Sequence, residues 1–406
     1  MWRSFTREQK SLLVVMTSIN MFNYLDRQVV FPLFSHIKAE FFLSDFELGL
    51  LGTAFLFVHS LAILPMGMLA DRFPRNLIIA VGVGFWSLAS FVTGLVGSFR
   101  GLLASRSLVG IGEASYSPAA VGMLTDHFPD EVNARVQGIF NVGMLVGGTL
   151  GAIIGGLIAF YFNNWRLAFI LVALPGAFLS VLAFRMRDRI HKKHDIDISI
   201  FTLRHNKAYL WVMLSGTLVS FASGAFITWG IEFITRYKGY NLRDAGLILG
   251  GGMMAASVLG VLVGSFAADY IQRKHIWGRS IVVTLSLMMA TPLMIAGLLQ
   301  SGTSAMFLFY FFWGTVFLSV YLGPVTVVLH DIVPNSVRAS AYGAYVLVST
   351  LLGQAFAPAI IGSISDIYGL RLALVFAACF VFFAGLAFAP VNYLMRKSYD
   401  DARMVV

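Results

Sequence analysis

Apolar runs of about 20 residues, separated by short polar intervals, recur along nearly the whole chain. Each is long enough to cross a hydrocarbon layer as a helix. They predict twelve spans, near 11–35, 46–70, 76–98, 102–127, 133–161, 166–186, 208–235, 242–269, 277–300, 304–330, 335–365 and 371–396. The longest polar interval, "RMRDRIHKKHDIDISIFTLRHNK" from Arg185 to Lys207, lies near the midpoint. The expected architecture is an all-α membrane protein with twelve transmembrane helices in two pseudo-symmetric six-helix bundles. Residues 1–187 and 208–406 form the bundles, and 188–207 is a cytoplasmic linker.

Composition agrees with that pattern. Hydrophobic residues make up 58% of the chain and charged ones 12%, with a mean hydropathy of +0.79. So little polar surface cannot cover a soluble globule. The net charge of +9 does not point to nucleic acid, because most of the 29 Lys and Arg fall in the intervals that share a side with the two termini. That distribution is the positive-inside bias, and it predicts cytoplasmic termini in a bacterial inner (cell) membrane. The basic start "MWRSFTREQK" resembles a signal peptide, but the following run continues through Asp26 and Arg27 without a small-residue cleavage site. It reads as a retained first span. One cysteine, Cys379, excludes an internal disulfide, and no metal or cofactor pattern is present. Neither His-Glu-x-x-His nor Gly-x-Ser-x-Gly occurs, so the chain is not expected to be an enzyme.

An internal repeat organises the chain. "PDEVNARVQGIF" at 129–140 and "PNSVRASAYGAY" at 334–345 align at the offset of 205 that separates Pro129 from Pro334. The same offset pairs Asp126 with Asp331, and Arg166 with Arg371 in two copies of "RLA". Paired six-helix bundles of this kind are a common plan of secondary transporters, whose central site is expected at mid-membrane between the repeats. In the fifth span Gly143, Gly147, Gly151 and Gly155 recur every four residues and make a smooth face for close helix packing, or a sliding surface.

Candidate chemistry lies in the charges buried within these runs. "INMFNYLDRQVVFPL", Ile19 to Leu33, carries Asp26 and Arg27, and the fourth span carries Arg106 and Glu113. At about 2.5 to 3.5 kcal/mol each on insertion scales, four such charges need a purpose. Arg106 and Glu113 are seven residues apart, so they share a helix face but lie about 10 Å apart along the axis, and a direct pair is strained. Asp26 and Arg27 are their available partners. Carboxylates can gain and lose protons whereas arginine stays charged, so Asp26 and Glu113 are the candidate proton carriers. The planar forks of Arg27 and Arg106 suit a phosphate or carboxylate, with Tyr24 and Tyr116 beside them as candidate substrate contacts. The competing reading is a static salt-bridge cluster that fixes helix packing.

Other residues read as structural. His59 is expected to be a hydrogen-bonded span histidine, with proton relay as its alternative. Glu232 and Arg236 form an i,i+4 pair. His330 and Asp331, matched by Thr125 and Asp126, mark helix boundaries. Trp229, Trp313, Tyr321, Tyr342 and Tyr345 either pack, mark the interface or line the cavity.

"GMLADRFPRN", Gly67 to Asn76, resembles the signature loop of the major facilitator superfamily, Gly-x-Leu-Ala-Asp-Arg-x-Gly-Arg-Lys, departing from it at Pro74 and Asn76. "SFAADYIQRK", Ser265 to Lys274, resembles a second copy. The resemblance implies a cytoplasmic gate at Asp71, Arg72, Arg75, Asp269 and Arg273, latching helix ends when the inner side closes. "NYLDR" at Asn23–Arg27 and "SRSLVGIGEASYSPAA" at Ser105–Ala120 resemble the spinster family. That likeness implies a monomeric, proton-coupled carrier working in the lipid bilayer by alternating access. Its substrate would be an anionic amphiphile of the lysophospholipid or sphingosine-phosphate type. Organic-anion:proton symporters share the Asn-Tyr-x-Asp-Arg motif and the spaced Arg and Glu, so a sugar-acid symporter is the alternative, as is a drug efflux carrier.

Overall fold

The computed structural model describes residues 5–186, 188, 203–275, 277–302, 305–334 and 337–404. No strand occurs among the described residues. The helices are α1 (Arg7–Val29), α2 (Phe34–Phe41), α3 (Asp45–Arg72), α4 (Arg75–Thr93), α5 (Phe99–His127), α6 (Asp130–Phe162), α7 (Trp165–Phe184) and α8 (Lys207–Lys238). They continue as α9 (Leu242–Leu247), α10 (Met253–Gln272), α11 (Gly278–Leu299), α12 (Ala305–Val320), α13 (Leu322–Ile332), α14 (Arg338–Val348), α15 (Ala357–Tyr368) and α16 (Leu370–Met404). A π-helical turn at Ile248–Gly252 joins α9 to α10, and another at Ser349–Gln354 leads from α14 towards α15.

Local chemistry sets the ends. Thr6 and Ser44 open α1 and α3 with reciprocal capping boxes to Gln9 and Glu47. Pro74, which replaces the glycine of the family loop, is the N-cap residue of α4, where its fixed φ suits a helix start. The expected first span ran to residue 35, but the helix stops at Val29. Pro32 then sits in a 3-10 turn, Phe31–Leu33, because it has no N–H with which to continue the α-helix.

Among the described residues, ten helical stretches are long and apolar enough to cross a membrane. At 23 and 29 residues α1 and α5 have the length, but their charged and polar side chains keep them outside those ten.

Two compact units emerge, 1–194 with 241–251, and 195–240 with 252–406. Most of the expected linker, 189–202, lies outside the described residues. In the first unit the glycine row of α6 meets the carbonyls of α1. A Cβ on Gly143, Gly151 or Gly155 would stand 2.5, 2.5 and 2.7 Å from the oxygens of Thr17, Leu25 and Val29, and one on Gly147 would overlap that of Met21. The α1 residues are also spaced by four, so the contact runs over three turns and leaves α1 a single rotation about its axis. Gly110 of α5 likewise admits the backbone of α3 at Phe55, and Gly246 brings α9 onto Ala152 of α6.

In the second unit hydroxyls and indole nitrogens tie helices to neighbouring carbonyls. Ser215 of α8 donates to Ala384 of α16 (2.9 Å), Trp229 to Pro358 (3.0 Å) and Tyr209 to Ala341 (3.0 Å).

Opposite the end that holds α1's first residue, Arg166 grips Glu40 of α2 through both terminal nitrogens (2.6 Å each) and donates to the Val96 carbonyl (3.1 Å). Trp165 Nε1 adds a bond to Glu40 (2.7 Å). These hydrogen bonds, those from Arg166 foremost, hold the Glu40 carboxyl below its ordinary range.

Two expectations follow. Gly147→Ala forces a methyl into a backbone carbonyl and should cost about 1–3 kcal/mol, whereas Gly148→Ala meets only the Gln28 side chain at 3.9 Å and should be near neutral. Thermal unfolding of both variants in detergent measures the contrast. Because the Glu40 carboxyl is lowered in the folded state, its clamp stabilises fully above the unfolded value of about 4.3 and is lost as pH falls through the folded one. The melting-temperature gap between wild type and Glu40→Gln should therefore be open at pH 7 and close in acid.

Candidate functional site

Four charges meet inside the first unit, and the glycine contact decides how. With Leu25 turned onto α6, Asp26 lies about 100° further round α1 and Arg27 about 200°, on the far side. Arg27 Nε donates to Glu113 Oε2 of α5 at 2.5 Å, and Arg106 Nη1 stands 3.6 Å from Asp26 Oδ2. The pairs therefore cross between helices, as the seven-residue spacing on α5 requires. Asp26, Arg106 and Glu113 are at most 1% exposed, and the Arg27 side chain is 16% exposed.

Neighbouring helices complete the surroundings. Ser90 of α4 donates to Asp26 Oδ2 (2.7 Å), and Arg27 Nη2 reaches His59 Nε2 of α3 (2.8 Å). The Arg27 guanidinium lies over the Tyr24 ring (4.8 Å), and the Phe55 ring faces both Arg27 (5.4 Å) and Arg106 (5.2 Å). Phe169 of α7 adds a second ring under Arg106 at 5.7 Å. Ser90, Phe55 and Phe169 gave no sequence signal, since apolar and hydroxyl residues fill every span. His59 does make the expected hydrogen bond, and its partner is one of the site's guanidiniums.

Hydrogen bonding here is incomplete. Asp26 Oδ1, Glu113 Oε1, Arg106 Nε and Nη1, His59 Nδ1 and Asn23 Nδ2 are buried without a hydrogen-bond partner. A buried polar group that nothing meets costs roughly 1–3 kcal/mol, so these atoms are places where water, a proton or a ligand oxygen binds favourably. The arrangement offers free acceptors on two acids and free donors on one guanidinium, suited to exchanging protons and holding an oxyanion.

Tyr116, an expected substrate contact, is placed differently. It is 1% exposed, its hydroxyl donates to the Met16 carbonyl (2.6 Å), and its ring packs edge-on against Trp86. Its polar atom is thereby used in joining α5 to α1. Among the other aromatic candidates Trp229 is buried, Tyr321 and Tyr345 pair through their hydroxyls, and Trp313 and Tyr342 are exposed. Glu232 bonds Arg236 at 2.7 Å.

At the end of the first unit that holds the α1 start, Arg75 pairs with Asp126 at 2.6 Å, both side chains under 5% exposed, and its backbone N–H donates to Asp188 (2.9 Å). Asp71 is half-buried and Arg72 exposed on the last turn of α3. In the second unit the expected Arg273 is exposed. Arg279 instead bridges Asp269 (3.0 Å) and Asp331 (3.2 Å). Aligning the two loops by their Ala-Asp pairs points to Arg273, whereas the repeat offset carries Arg75 to within one residue of Arg279. Asp126 and Asp331, expected as mere boundary residues, are the acceptors of the two pairs.

The sequence model of the Major Facilitator Superfamily matches residues 16–358. Protein spinster of Drosophila melanogaster is 28% identical over 382 residues, covering 89% of this chain and 63% of that one, so the chain spans just under two thirds of that relative. Protein spinster homolog 1 of Xenopus laevis is 30% identical over 383 residues, with 87% and 72% covered. A sphingosine-1-phosphate transporter of Xenopus tropicalis is 28% identical over 372 residues, with 86% and 72% covered. In fold, the chain is similar to a bacterial homologue of the human lysosomal transporter spinster, crystallised inward-facing and unoccupied. The TM-score is 0.87 at 22% identity over 97% of this chain and 99% of that one.

The two charge pairs differ in burial, and the difference is measurable. Asp126→Asn takes a charged partner at 2.6 Å from the buried Arg75 guanidinium and should destabilise by about 1.5–3 kcal/mol. Asp331, whose side chain is 34% exposed, should cost under about 1 kcal/mol on the same change. Parallel melts in detergent would show whether burial sets the cost.

Proposed function

Because the chain belongs to the major facilitator superfamily and, within it, to the spinster family of transporters, we propose that it moves an anionic amphiphile across the membrane. The process is secondary active transport by alternating access, coupled to protons. The substrate class is a lysophospholipid or a sphingosine-phosphate-like lipid, in keeping with the relative named as a sphingosine-1-phosphate transporter. The ten apolar helical stretches together with α1 and α5 make twelve spans in two six-helix bundles. Both termini are cytoplasmic, in the cell membrane of a bacterium, and the carrier works as a monomer.

The incompletely bonded cluster of α1 and α5 is the observation that carries this reading. Asp26 and Glu113 take and release protons. Arg27 and Arg106 hold the anionic group, with Tyr24, Phe55 and Phe169 offering ring faces to the guanidiniums and to the substrate carbons next to its head. A proton arriving on Glu113 weakens its hold on Arg27 and frees that fork for the substrate, which gives coupling a direct physical route. Asp71, Arg72, Arg75, Asp269 and Arg273, joined by Arg279, form the cytoplasmic gate. A small sugar acid remains the second reading, favoured by the motif shared with organic-anion symporters.

Binding in detergent to lysolipids, sphingoid phosphates and sugar acids tests the substrate class, and tight binding of a sugar acid with none for single-chain lipids would overturn it. Arg106→Ala should weaken binding of the anionic lipid by about 10- to 100-fold, the worth of a charged hydrogen bond, and Arg106→Lys should restore part of it. Glu113→Gln keeps the shape of a protonated glutamate. In proteoliposomes it should lose uptake driven by a pH gradient while retaining substrate counterflow. A purely structural cluster would instead lose both modes together with thermal stability.

A further inference from the structure

The internal repeat places two arginines at equivalent stations, and their surroundings differ. Arg166 is the second residue of α7 and Arg371 the second residue of α16, 205 residues on. Arg166 has its planar fork filled by the chain's own Glu40, at 2.6 Å to each oxygen. At the same offset from Glu40 stands Ala245, which carries no acid.

Arg371 accordingly has no carboxylate partner among the described residues. Its guanidinium lies over the Tyr237 ring at 4.9 Å, and its buried Nε makes no hydrogen bond. A second cation, Lys238, follows Tyr237 directly in the sequence. Lys238, at the end of α8 and 0% exposed, donates to the carbonyls of Gly297 (3.0 Å) and Gln300, between the rings of Phe233 and Phe307. It too lacks an acidic partner among the described residues. The start of α16 is also less closed than its twin. Asn164 caps α7 by accepting from the Arg166 N–H (3.1 Å), whereas the offset puts Gly369, with φ +82°, in that place. The first N–H groups of a helix favour an anion.

We propose that the start of α16 is an oxyanion site, formed by Arg371 beside Tyr237, that binds a phosphate group from outside the chain. It is the counterpart of the Glu40 clamp, with an external phosphate in the place of the internal carboxylate. Apolar side chains are exposed beside it, Ile367 at 75%, Tyr368 at 66% and Leu372 at 53%, next to the exposed Asp366. A phosphate attached to acyl chains matches both parts, so a phospholipid headgroup is the source the surface favours. Its effect is to steady this end of the second unit, and it is independent of the substrate cluster on α1 and α5.

The test is a titration of thermal stability with the full-length protein in detergent, since a ligand bound only to the folded state raises the melting temperature. One arm adds phosphatidylglycerol, a second phosphatidylcholine, and a third inorganic phosphate at matched ionic strength. Wild type should be stabilised by phosphatidylglycerol, with Arg371→Gln needing about tenfold more lipid for the same shift. Stabilisation by inorganic phosphate alone, also lost in Arg371→Gln, would identify a soluble ion as the source and remove the lipid. Superimposable titrations of wild type and Arg371→Gln in every arm would overturn the site. Should Arg371→Gln not fold, Arg371→Lys keeps the charge and loses the fork. It should bind about threefold more weakly, and an unchanged affinity there overturns the proposal equally.

Discussion

A guanidinium in hydrocarbon must be met by an acid, and this requirement organises the first unit. Arg106 cannot be met by Glu113, because seven residues of helix separate them along the axis. The acid has to come from another helix, and Asp26 supplies it, while Arg27 does the same service for Glu113. Two helices that are too polar to be stable alone in lipid thereby become stable together. Such crossed pairs need α1 held at one rotation, and the glycine row of α6 holds it there through a run of backbone contacts.

Close packing and incomplete hydrogen bonding then occupy adjacent parts of the same helix. The α6 face of α1 is closed to within a methyl group. The opposite face carries acceptors and donors that the protein leaves unpaired. Close backbone contact on one side fixes where the charged groups stand, and unused hydrogen-bonding capacity lies on the other. The Phe55 ring faces both guanidiniums, a cation–π contact that adds to each charge's acidic partner without introducing another charge.

The internal repeat gives the two units comparable parts whose surroundings differ. Arg75 with Asp126 is sealed, while Arg279 with Asp269 and Asp331 is open to solvent. Arg166 is clamped by Glu40, while Arg371 rests on a ring. In both comparisons the first unit holds its charges internally, and the second keeps them available.

The membrane class of the molecule, its ten apolar helical stretches and the identity of the buried charges were legible in the sequence, because hydrophobic runs and the cost of intramembrane charge are local properties. The glycine row was legible for the same reason, as a four-residue period on one helix. That Arg106 and Glu113 would find their partners in Asp26 and Arg27 was legible too, since seven residues of helix strain a direct pair. Tertiary structure decided which side chains complete the cluster. Ser90, Phe55 and Phe169 come from three other helices, and no spacing in the chain encodes such contacts. It also decided that Tyr116 spends its hydroxyl on Met16, and that Arg279 rather than Arg273 meets Asp269. Those outcomes depend on the rotation and depth of one helix against another, which the packing of small residues sets and a linear pattern does not contain.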